Sequence, residues 1–215
     1  MVVLLSGTIQ PMPDDYRQLT LPDLEPMAQV LAQSFSEDPL VSFILPNAKT
    51  RVHTVGKFFR AMGRLNIRAG SAFGTGYPLA GVAVWSFPNK SSSSASLGDL
   101  TAFLPVLFSS YVIGVRRARA ILNQIEANHK KHALESHFYL DNLGVIEAAR
   151  GKGLSSKLIR PFLQMADEQK VVAYTDTVTG SNVPVYEHFG FECVERNLVE
   201  GTGITVYALR RPVHS

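Results

Sequence analysis

The stretch from residue 143 to residue 166 most constrains what this chain can fold into. It reads LGVIEAARGKGLSSKLIRPFLQMA, an apolar run that meets a glycine-rich basic turn and then a helix pattern over 155–168. Backbone N–H groups at a helix start lack intrahelical partners, and the helix dipole adds a partial positive charge there. Gly151 and Gly153 carry no Cβ and let the backbone approach a ligand closely. With Arg150 and Lys152 beside them, the turn predicts a cradle for a phosphate or pyrophosphate.

Strand and helix patterns alternate along the rest of the chain. A helix opens at Thr20 and ends at Asp38-Pro39, and the spacing predicts further helices at 57–67, across most of 97–134, at 155–168 and at 181–189. Strands are predicted at 16–19, 71–75, 79–87, 137–145, 171–177, 191–196 and 204–210. The order from residue 137 is β-α-β-α-β-β, which implies an α/β or α+β sheet with helices on its faces.

Composition excludes several classes of protein. Apolar residues make up 46% of the 215 positions, which is enough for the core of one domain. The net charge of +3 is too small to argue for nucleic-acid binding. The longest apolar run, 102–115, falls short of the roughly 20 residues of a membrane helix, and the N-terminus lacks the basic region of a signal peptide. The single cysteine, Cys193, fits a reducing compartment, so we expect a cytoplasmic protein with no membrane partner.

Two common nucleotide-binding motifs do not fit the glycine-rich turn. A Walker A loop requires Ser or Thr after its lysine, but Gly153 follows Lys152. A dinucleotide fingerprint requires a third glycine where this chain has Ser156.

The turn resembles a third pattern, R/Q-x-x-G-x-G/A, which is the pyrophosphate loop of the GNAT superfamily of N-acetyltransferases. The matching residues run from Arg150 to Ser155, and Ser155 departs from the Gly or Ala of the family. The segment from Asn182 to Phe191 resembles the N-x-x-x-Y-x-x-x-GF segment of the same family.

Other segments resemble one branch of that superfamily, the branch of puromycin N-acetyltransferase. These are the VAVW sequence that starts at Val82, the HFYL sequence that starts at His137, and the F-x-x-D-P pattern that starts at Phe35. The matches span about 16–212, and the strongest of them begin at His137.

The resemblance implies a fold and a reaction. The fold is a GNAT-like mixed, mostly antiparallel sheet, splayed at the cofactor strand, with helices on both faces. Residues 1–215 form one domain, with an N-terminal extension at 1–15, a loop and helical insert at 89–136 that shapes the acceptor pocket, and a cofactor-binding half at 137–212. The reaction is transfer of an acetyl group from acetyl-CoA to a primary amine of a small molecule, by direct attack in a ternary complex.

The resemblance also assigns roles to individual residues. Tyr186 protonates the departing thiolate. Gly144 lies inside a strand, where glycine indicates a bulge or a close backbone approach, and the N–H near Val145 binds the thioester carbonyl. The residues expected to bind the cofactor are Leu143, Gly144, Val145, Arg150, Gly151, Lys152, Gly153, Leu154, Ser155, Ser156 and Asn182.

The general base is the least constrained assignment. Asp141 is the first candidate and Glu126 the second, with His129 and His137 as further candidates. Glu126-x-x-His129 has the spacing used in di-iron bundles, but no second copy exists in the sequence, so no metal site is expected.

The predicted insert at 89–136 gives an indication of the chemical type of the acceptor amine. Its apolar centre, with Phe103 and Phe108, suggests a partly apolar small amine or a hydrophobic peptide terminus, whereas Arg116, Arg117 and Arg119 are predicted to form a solvated helix face. Two other functions stay open: a degenerate scaffold that binds CoA or a protein, and a peptide or protein N-acetyltransferase. A homodimer is also left open.

Overall fold

A seven-stranded sheet forms the centre of the protein, and the computed structural model describes residues 16–88 and 110–213 of the chain. The strands are β1 Tyr16–Gln18, β2 Ala72–Thr75, β3 Gly81–Ser86, β4 His137–Val145, β5 Val172–Thr177, β6 Glu192–Val199 and β7 Ile204–Arg211. Their spatial order is β1-β2-β3-β4-β5-β7-β6. Neighbouring strands are antiparallel except β4 and β5, which are parallel. The predicted mixed, mostly antiparallel sheet is confirmed.

Seven α-helices surround the sheet in the described part of the chain. They are α1 Leu24–Phe35, α2 Pro39–Ile44, α3 Ala48–Ala69, α4 Ser110–Arg117, α5 Arg119–His132, α6 Leu154–Glu168 and α7 Val183–Glu187. Helix α3 begins nine residues before the predicted start at Lys57, because Asn47 caps it by accepting a hydrogen bond from the Lys49 N–H.

Asp38 and Pro39 do more than end the first helix. Helix α1 ends at Phe35, and Asp38 then caps α2, which the sequence analysis did not predict. The Asp38 carboxylate accepts hydrogen bonds from the N–H groups of Leu40 and Val41, at 2.9 and 3.2 Å. Pro39 takes the first helical position, where its missing N–H costs nothing.

Helices pack on both faces of the sheet, as predicted. Helices α1 and α3 bury residues such as Leu31 and Val55 on one face. Helix α6 buries Leu158 and Phe162 on the other. The indole of Trp85 on β3 is fully buried there, stacks on Phe162 with ring centroids 5.1 Å apart, and donates a hydrogen bond to the Leu158 carbonyl at 3.1 Å.

The described part of the predicted insert forms two helices, α4 and α5, which agrees with the mostly helical pattern over 97–134. Helix α4 lies against α2, where Gly114 is buried and Arg117 donates hydrogen bonds to the carbonyls of Phe43 and Ile44, at 2.8 and 3.3 Å. Arg116, Arg117 and Arg119 are exposed, which agrees with the predicted solvated face, and the guanidinium of Arg117 in addition binds the C-terminal carbonyls of α2. Residues 1–15 and 89–109, with Phe103 and Phe108, lie outside the described residues.

Candidate active site

An opening separates β4 from β5 in the middle of the sheet. The two strands pair only over residues 137–139 and 172–174, although β4 continues to Val145 and β5 to Thr177. At the start of the opening, the Thr175 hydroxyl donates a hydrogen bond to the Leu140 carbonyl at 2.9 Å. The predicted splay at the cofactor strand is confirmed.

One edge of β4 directs a backbone donor into this opening. The Ile146 N–H donates to the Ala80 carbonyl at 3.0 Å, on the β3 side. Because successive N–H groups of a strand point to opposite edges, the Val145 N–H points away from β3 and into the opening. Gly144 is buried beneath α1, and a Cβ there would lie 2.9 Å from the Ser34 hydroxyl oxygen and 3.1 Å from Leu31 Cδ2. The role of Gly144 in the fold is therefore a close approach of helix and strand.

Asp141 lies at a bulge in β4. Trp85 lies opposite Leu140 while its neighbour Val84 lies opposite Asn142, so Asp141 is an extra residue without a partner position on β3. The simple alternation of side chains does not hold at this point. The Ser86 hydroxyl donates to the Asp141 carboxylate at 2.6 Å. Asp141 keeps contact with solvent, yet the surrounding protein atoms raise its pKa to about 6, and the Ser86 bond opposes this shift.

A cavity of about 490 Å³ lies between the glycine-rich turn and α7. Seven residues predicted to bind the cofactor line it, namely Val145, Arg150, Gly151, Gly153, Leu154, Ser155 and Ser156. Ala149 and four residues in and after α7, which the sequence analysis missed, complete the wall: Pro184, Val185, His188 and Phe189. The last four lie within the segment from Asn182 to Phe191 that resembles the family motif. The sequence analysis assigned roles to only two residues of this segment, Asn182 and Tyr186.

The turn has the geometry of an anion cradle. Gly151 and Gly153 adopt left-handed φ angles of 73° and 75°, and no atom lies within 4 Å of the Cβ that either position would carry. Ser155 and Ser156 occupy the first turn of α6, whose N–H groups have no intrahelical acceptor. The Arg150 side chain donates to the Val145 carbonyl at 3.3 Å, which ties the cradle to the opening.

Four predicted cofactor residues do not line this cavity. Leu143 packs into the core on the α6 face, and Gly144 packs against α1. Lys152 is exposed. Asn182 donates a long hydrogen bond of 3.4 Å to the Thr177 hydroxyl at the end of β5.

Tyr186 is buried on α7, beside the start of the opening. Its hydroxyl interacts with Thr175, the residue that bonds to Leu140 across the gap. Burial raises the pKa of Tyr186 to about 12, the Thr175 contact opposes this, and the charge of Asp38 adds to it. The phenol therefore keeps its proton at neutral pH.

The second candidate base has a less favourable position. Glu126 lies on the exposed side of α5 and forms an ion pair with Lys130 at 2.6 Å. The hydrogen bond from Lys130 lowers the pKa of Glu126. A carboxylate that is exposed, paired and more acidic than usual is a weak proton acceptor.

A half-buried aromatic cluster, which we name the tyrosine–histidine wall, follows β4 and β5 up to the opening. It consists of Tyr139, Tyr174, His129 and His137. His129 on α5 stacks on Tyr139 and Tyr174 with centroid distances of 4.5 and 5.1 Å, and its Nε2 lies 2.7 Å from Nε2 of His137. Burial, with the neighbouring His137, lowers the pKa of His129.

Asp176 stands at the end of this wall and was missed by the sequence analysis. The Tyr174 hydroxyl donates to its Oδ1 at 2.8 Å. Burial raises the pKa of Asp176 to about 7, while the contacts with the Tyr174 and Tyr139 hydroxyls oppose the shift. No sequence motif marks this residue.

Residues 16–88 and 110–213 lack two kinds of feature. Within these ranges, no group of three or more His, Cys, Asp or Glu side chains is arranged to hold a metal ion. None of the helices in the same ranges is both long and apolar enough to cross a membrane.

Comparison with protein families and curated proteins identifies a known domain. Residues 112–210 match the model of the acetyltransferase (GNAT) domain. An uncharacterised N-acetyltransferase from Schizosaccharomyces pombe is 37% identical over 71 residues, which cover 33% of this chain and 29% of that protein. A probable serine/threonine-protein kinase from Dictyostelium discoideum is 26% identical over 170 residues, or 72% of this chain and 18% of that protein. The chain thus spans less than a third of either relative.

Solved structures match nearly the whole chain. A Corynebacterium glutamicum structure described as histone acetyltransferase HPA2 and related acetyltransferase covers 94% of this chain and 97% of its own, with a TM-score of 0.61 and 18% identity. Arylalkylamine N-acetyltransferase 2 from Aedes aegypti covers 93% and 98%, with a TM-score of 0.59 and 14% identity. A Drosophila melanogaster polyamine N-acetyltransferase covers 92% and 99%, with a TM-score of 0.59 and 15% identity. The protein has the GNAT fold, and residues 112–210 are similar to the GNAT acetyltransferase domain.

Proposed function

We propose that this protein is an acetyl-CoA-dependent N-acetyltransferase that acetylates the primary amine of a small molecule by direct attack in a ternary complex. The observation that carries the proposal is the opening between β4 and β5. Its β4 side ends at Val145, which lines the glycine-rich cavity, and its β5 side begins at Thr175, which contacts Tyr186. An anion cradle, a backbone donor and a phenol thus surround one gap.

The cavity residues fit the pyrophosphate of coenzyme A. The N–H groups of the first turn of α6 and the left-handed backbone at Gly151 and Gly153 provide donors, and Arg150 provides charge. Acetyl-CoA, when bound, supplies an activated acetyl group as a thioester. The Val145 N–H would donate to the thioester carbonyl oxygen, and this hydrogen bond strengthens as the oxygen gains negative charge.

Tyr186 is the proposed acid. With a pKa of about 12, it holds its proton until a stronger base appears beside it. A thiolate in water has a conjugate-acid pKa of about 8.5, but burial also disfavours the thiolate and raises that value. Burial therefore raises the pKa of both groups, so the shift of Tyr186 does not by itself prevent the proton transfer. Such acid catalysis typically contributes about 10²–10⁴ in rate.

Three lines of support favour a small amine as the acceptor. The Aedes and Drosophila proteins with this fold are named for arylalkylamines and polyamines. The sequences that start at Val82 and His137 support the branch of puromycin N-acetyltransferase. The carboxylates of Asp141 and Asp176 lie near the opening and favour a cationic group over an anionic one.

The test uses the purified full chain, acetyl-CoA and a panel of amines, with release of free thiol as the readout. We expect acetyl-CoA to raise the melting temperature and at least one amine to release thiol. Tyr186→Phe is expected to lower kcat by about 10²–10⁴-fold while the melting shift with acetyl-CoA is retained. Tyr77→Phe is the matched control, because Tyr77 is fully exposed in the β2–β3 turn.

Each other outcome rejects part of the proposal. If millimolar acetyl-CoA gives no melting shift, the cofactor assignment fails. Binding without thiol release for any amine or peptide indicates a non-catalytic scaffold. Turnover with peptides alone indicates a peptide N-acetyltransferase, and Tyr186→Phe with unchanged kcat removes the acid assignment.

A further inference from the structure

We propose that Asp176, rather than Asp141, accepts the proton of the acceptor amine, an inference that rests on the acetyltransferase function proposed above. Asp176 is two residues beyond Tyr174, the last residue of β5 that pairs with β4. Strand β7 covers one edge of β5 at this point, where Ala208 lies opposite Asp176. The other edge has lost β4 and borders the opening, so Asp176 stands where an amine meets the bound thioester.

The protein supplies a hydrogen-bond donor to one oxygen of the Asp176 carboxylate but not to the other. Oδ1 accepts the Tyr174 hydroxyl at 2.8 Å, which fixes the orientation of the group. Oδ2 is buried and has no hydrogen-bond partner among the described residues. A buried carboxylate oxygen without a donor is costly, and an ammonium group in the opening would supply the missing donor.

The surroundings of Asp176 favour a carboxyl that gains and loses a proton near neutral pH. Titratable and charged groups lie on every adjoining element. They include His137, Tyr139 and Asp141 on β4, Tyr174 on β5, His129 on α5, Glu195 on β6, and Tyr207 and Arg210 on β7. Tyr139 and Tyr174 have raised pKa values and stay neutral, and the pKa of His129 is lowered. Arg210 is paired with Glu135. Burial thus dominates, and the pKa of Asp176 rises to about 7.

Asp141 is less suited to the same task. Its carboxylate keeps contact with solvent and accepts a 2.6 Å hydrogen bond from Ser86. Water can therefore solvate Asp141 in either charge state, whereas Oδ2 of Asp176 is shielded from solvent by the protein.

The proton balance is complete without a further reactant. The ammonium gives one proton to Asp176 and becomes a neutral amine. Its nitrogen forms the C–N bond to the acetyl carbon, the C–S bond breaks, and the departing thiolate takes the proton of Tyr186. After the attack, the nitrogen carries two protons, and it loses one of them through water to Tyr186 as the amide forms. Asp176 then releases its proton to solvent, so that one proton leaves per turnover.

The experiment compares Asp176→Asn with the matched variant Asp141→Asn, using two acceptors of similar size. One is an alkylamine with a pKa near 10, and the other is an arylamine that is already neutral at pH 7. We expect Asp176→Asn to lower kcat/KM for the alkylamine by about 10²-fold or more, to remove the rise in rate near pH 7, and to change the arylamine rate only a few-fold. Asp141→Asn is expected to keep the rise in rate near pH 7 and to show no loss that is selective for the alkylamine.

Three results separate the possibilities. Equal losses with both acceptors, or loss of the melting shift with acetyl-CoA, indicate a structural role for Asp176 and overturn the inference. An alkylamine-selective loss in Asp141→Asn instead assigns the base to Asp141. Absence of any wild-type turnover refutes the proposed function and this inference together, whereas wild-type turnover without the expected Asp176→Asn pattern overturns the inference alone.

Discussion

The contact between α2 and α4 predicts a glycine substitution whose effect has a defined sign. Gly114 is buried in α4, and a Cβ at this position would lie 2.0 Å from the Ile44 carbonyl oxygen and 2.7 Å from its carbon. Both atoms belong to the backbone, so no side-chain rotation can relieve the overlap. Gly114→Ala should therefore push α4 away from α2 and weaken the nearby hydrogen bonds from Arg117 to the Phe43 and Ile44 carbonyls.

Two effects oppose each other in this substitution. Alanine in a helix interior is favoured over glycine by about 1 kcal/mol. Overpacking costs about 1–3 kcal/mol, and more when backbone has to move. Because 2.0 Å is far inside any van der Waals contact, we place the cost at the upper end, which gives a net loss of about 2 kcal/mol. For a chain of this size, that loss lowers the melting temperature by about 4–8 °C.

Gly56→Ala is the matched control for this measurement. Gly56 also lies inside a helix, α3, but the nearest atom to its Cβ position is Ala32 Cβ at 3.7 Å, an ordinary contact. There the helix preference acts alone, and the melting temperature should rise by about 2–4 °C. Differential scanning calorimetry of the two variants checks the signs. If Gly114→Ala stabilises the protein as Gly56→Ala does, the close approach of α4 to α2 does not exist.

Two further predictions concern charged groups. Arg211 is buried and forms a bidentate pair with Asp167, with N···O distances of 2.7 and 2.8 Å. Asp167→Ala should therefore cost about 1.5–3 kcal/mol in thermal unfolding, and an unchanged melting temperature would contradict this. Glu126→Ala, which breaks only an exposed pair with Lys130, is its control and should change little. The pKa of Asp176 is raised from 3.8 to about 7, so its contribution to stability is present below about pH 4 and is lost as the pH rises through 7. The melting temperature of ligand-free Asp176→Asn minus that of the wild type should therefore increase between pH 5 and pH 8. A difference that does not change with pH would refute the raised pKa of Asp176.

The glycine-rich turn and the strand before it could be predicted because their physics is local. Glycines with left-handed φ, a helix start and two basic residues lie within a few positions of one another, and the structure puts most of them on one cavity wall. The four cavity residues in and after α7 come from a second segment. Finding them required knowledge of how α7 packs beside α6, which no local pattern contains.

Asp38 shows how one local signal can support two conclusions. The pair Asp38-Pro39 ends α1, as predicted, but the same carboxylate caps α2. An aspartate followed by proline stops a preceding helix and also starts a following one. Only the apolar residues after it, which pack against α3 and α4, decide that a second helix forms.

Asp176 could not be found from sequence because its unusual chemistry is not local. In the sequence it is one acidic residue within the strand VAYTDT. Its burial and its contacts come from Tyr139 on β4, from Tyr174 on β5 and from α5, which packs His129 over both rings. Asp141 was the natural first choice because it lies on the cofactor strand, but the bulge there leaves its carboxylate in contact with solvent.

The polar groups along the opening are matched to a ligand that accepts hydrogen bonds. Strands that stop pairing leave backbone groups in need of partners. Two carbonyls beside the gap are bonded by side chains, Leu140 by the Thr175 hydroxyl and Val145 by the Arg150 side chain. The Val145 N–H points into the same gap, and the Tyr186 hydroxyl keeps its proton nearby. Since the Leu140 and Val145 carbonyls are already bonded while the Val145 N–H and the Tyr186 hydroxyl act as donors, this side of the opening suits a carbonyl that gains negative charge. Asp176 at the end of the wall suits the cation that attacks this carbonyl.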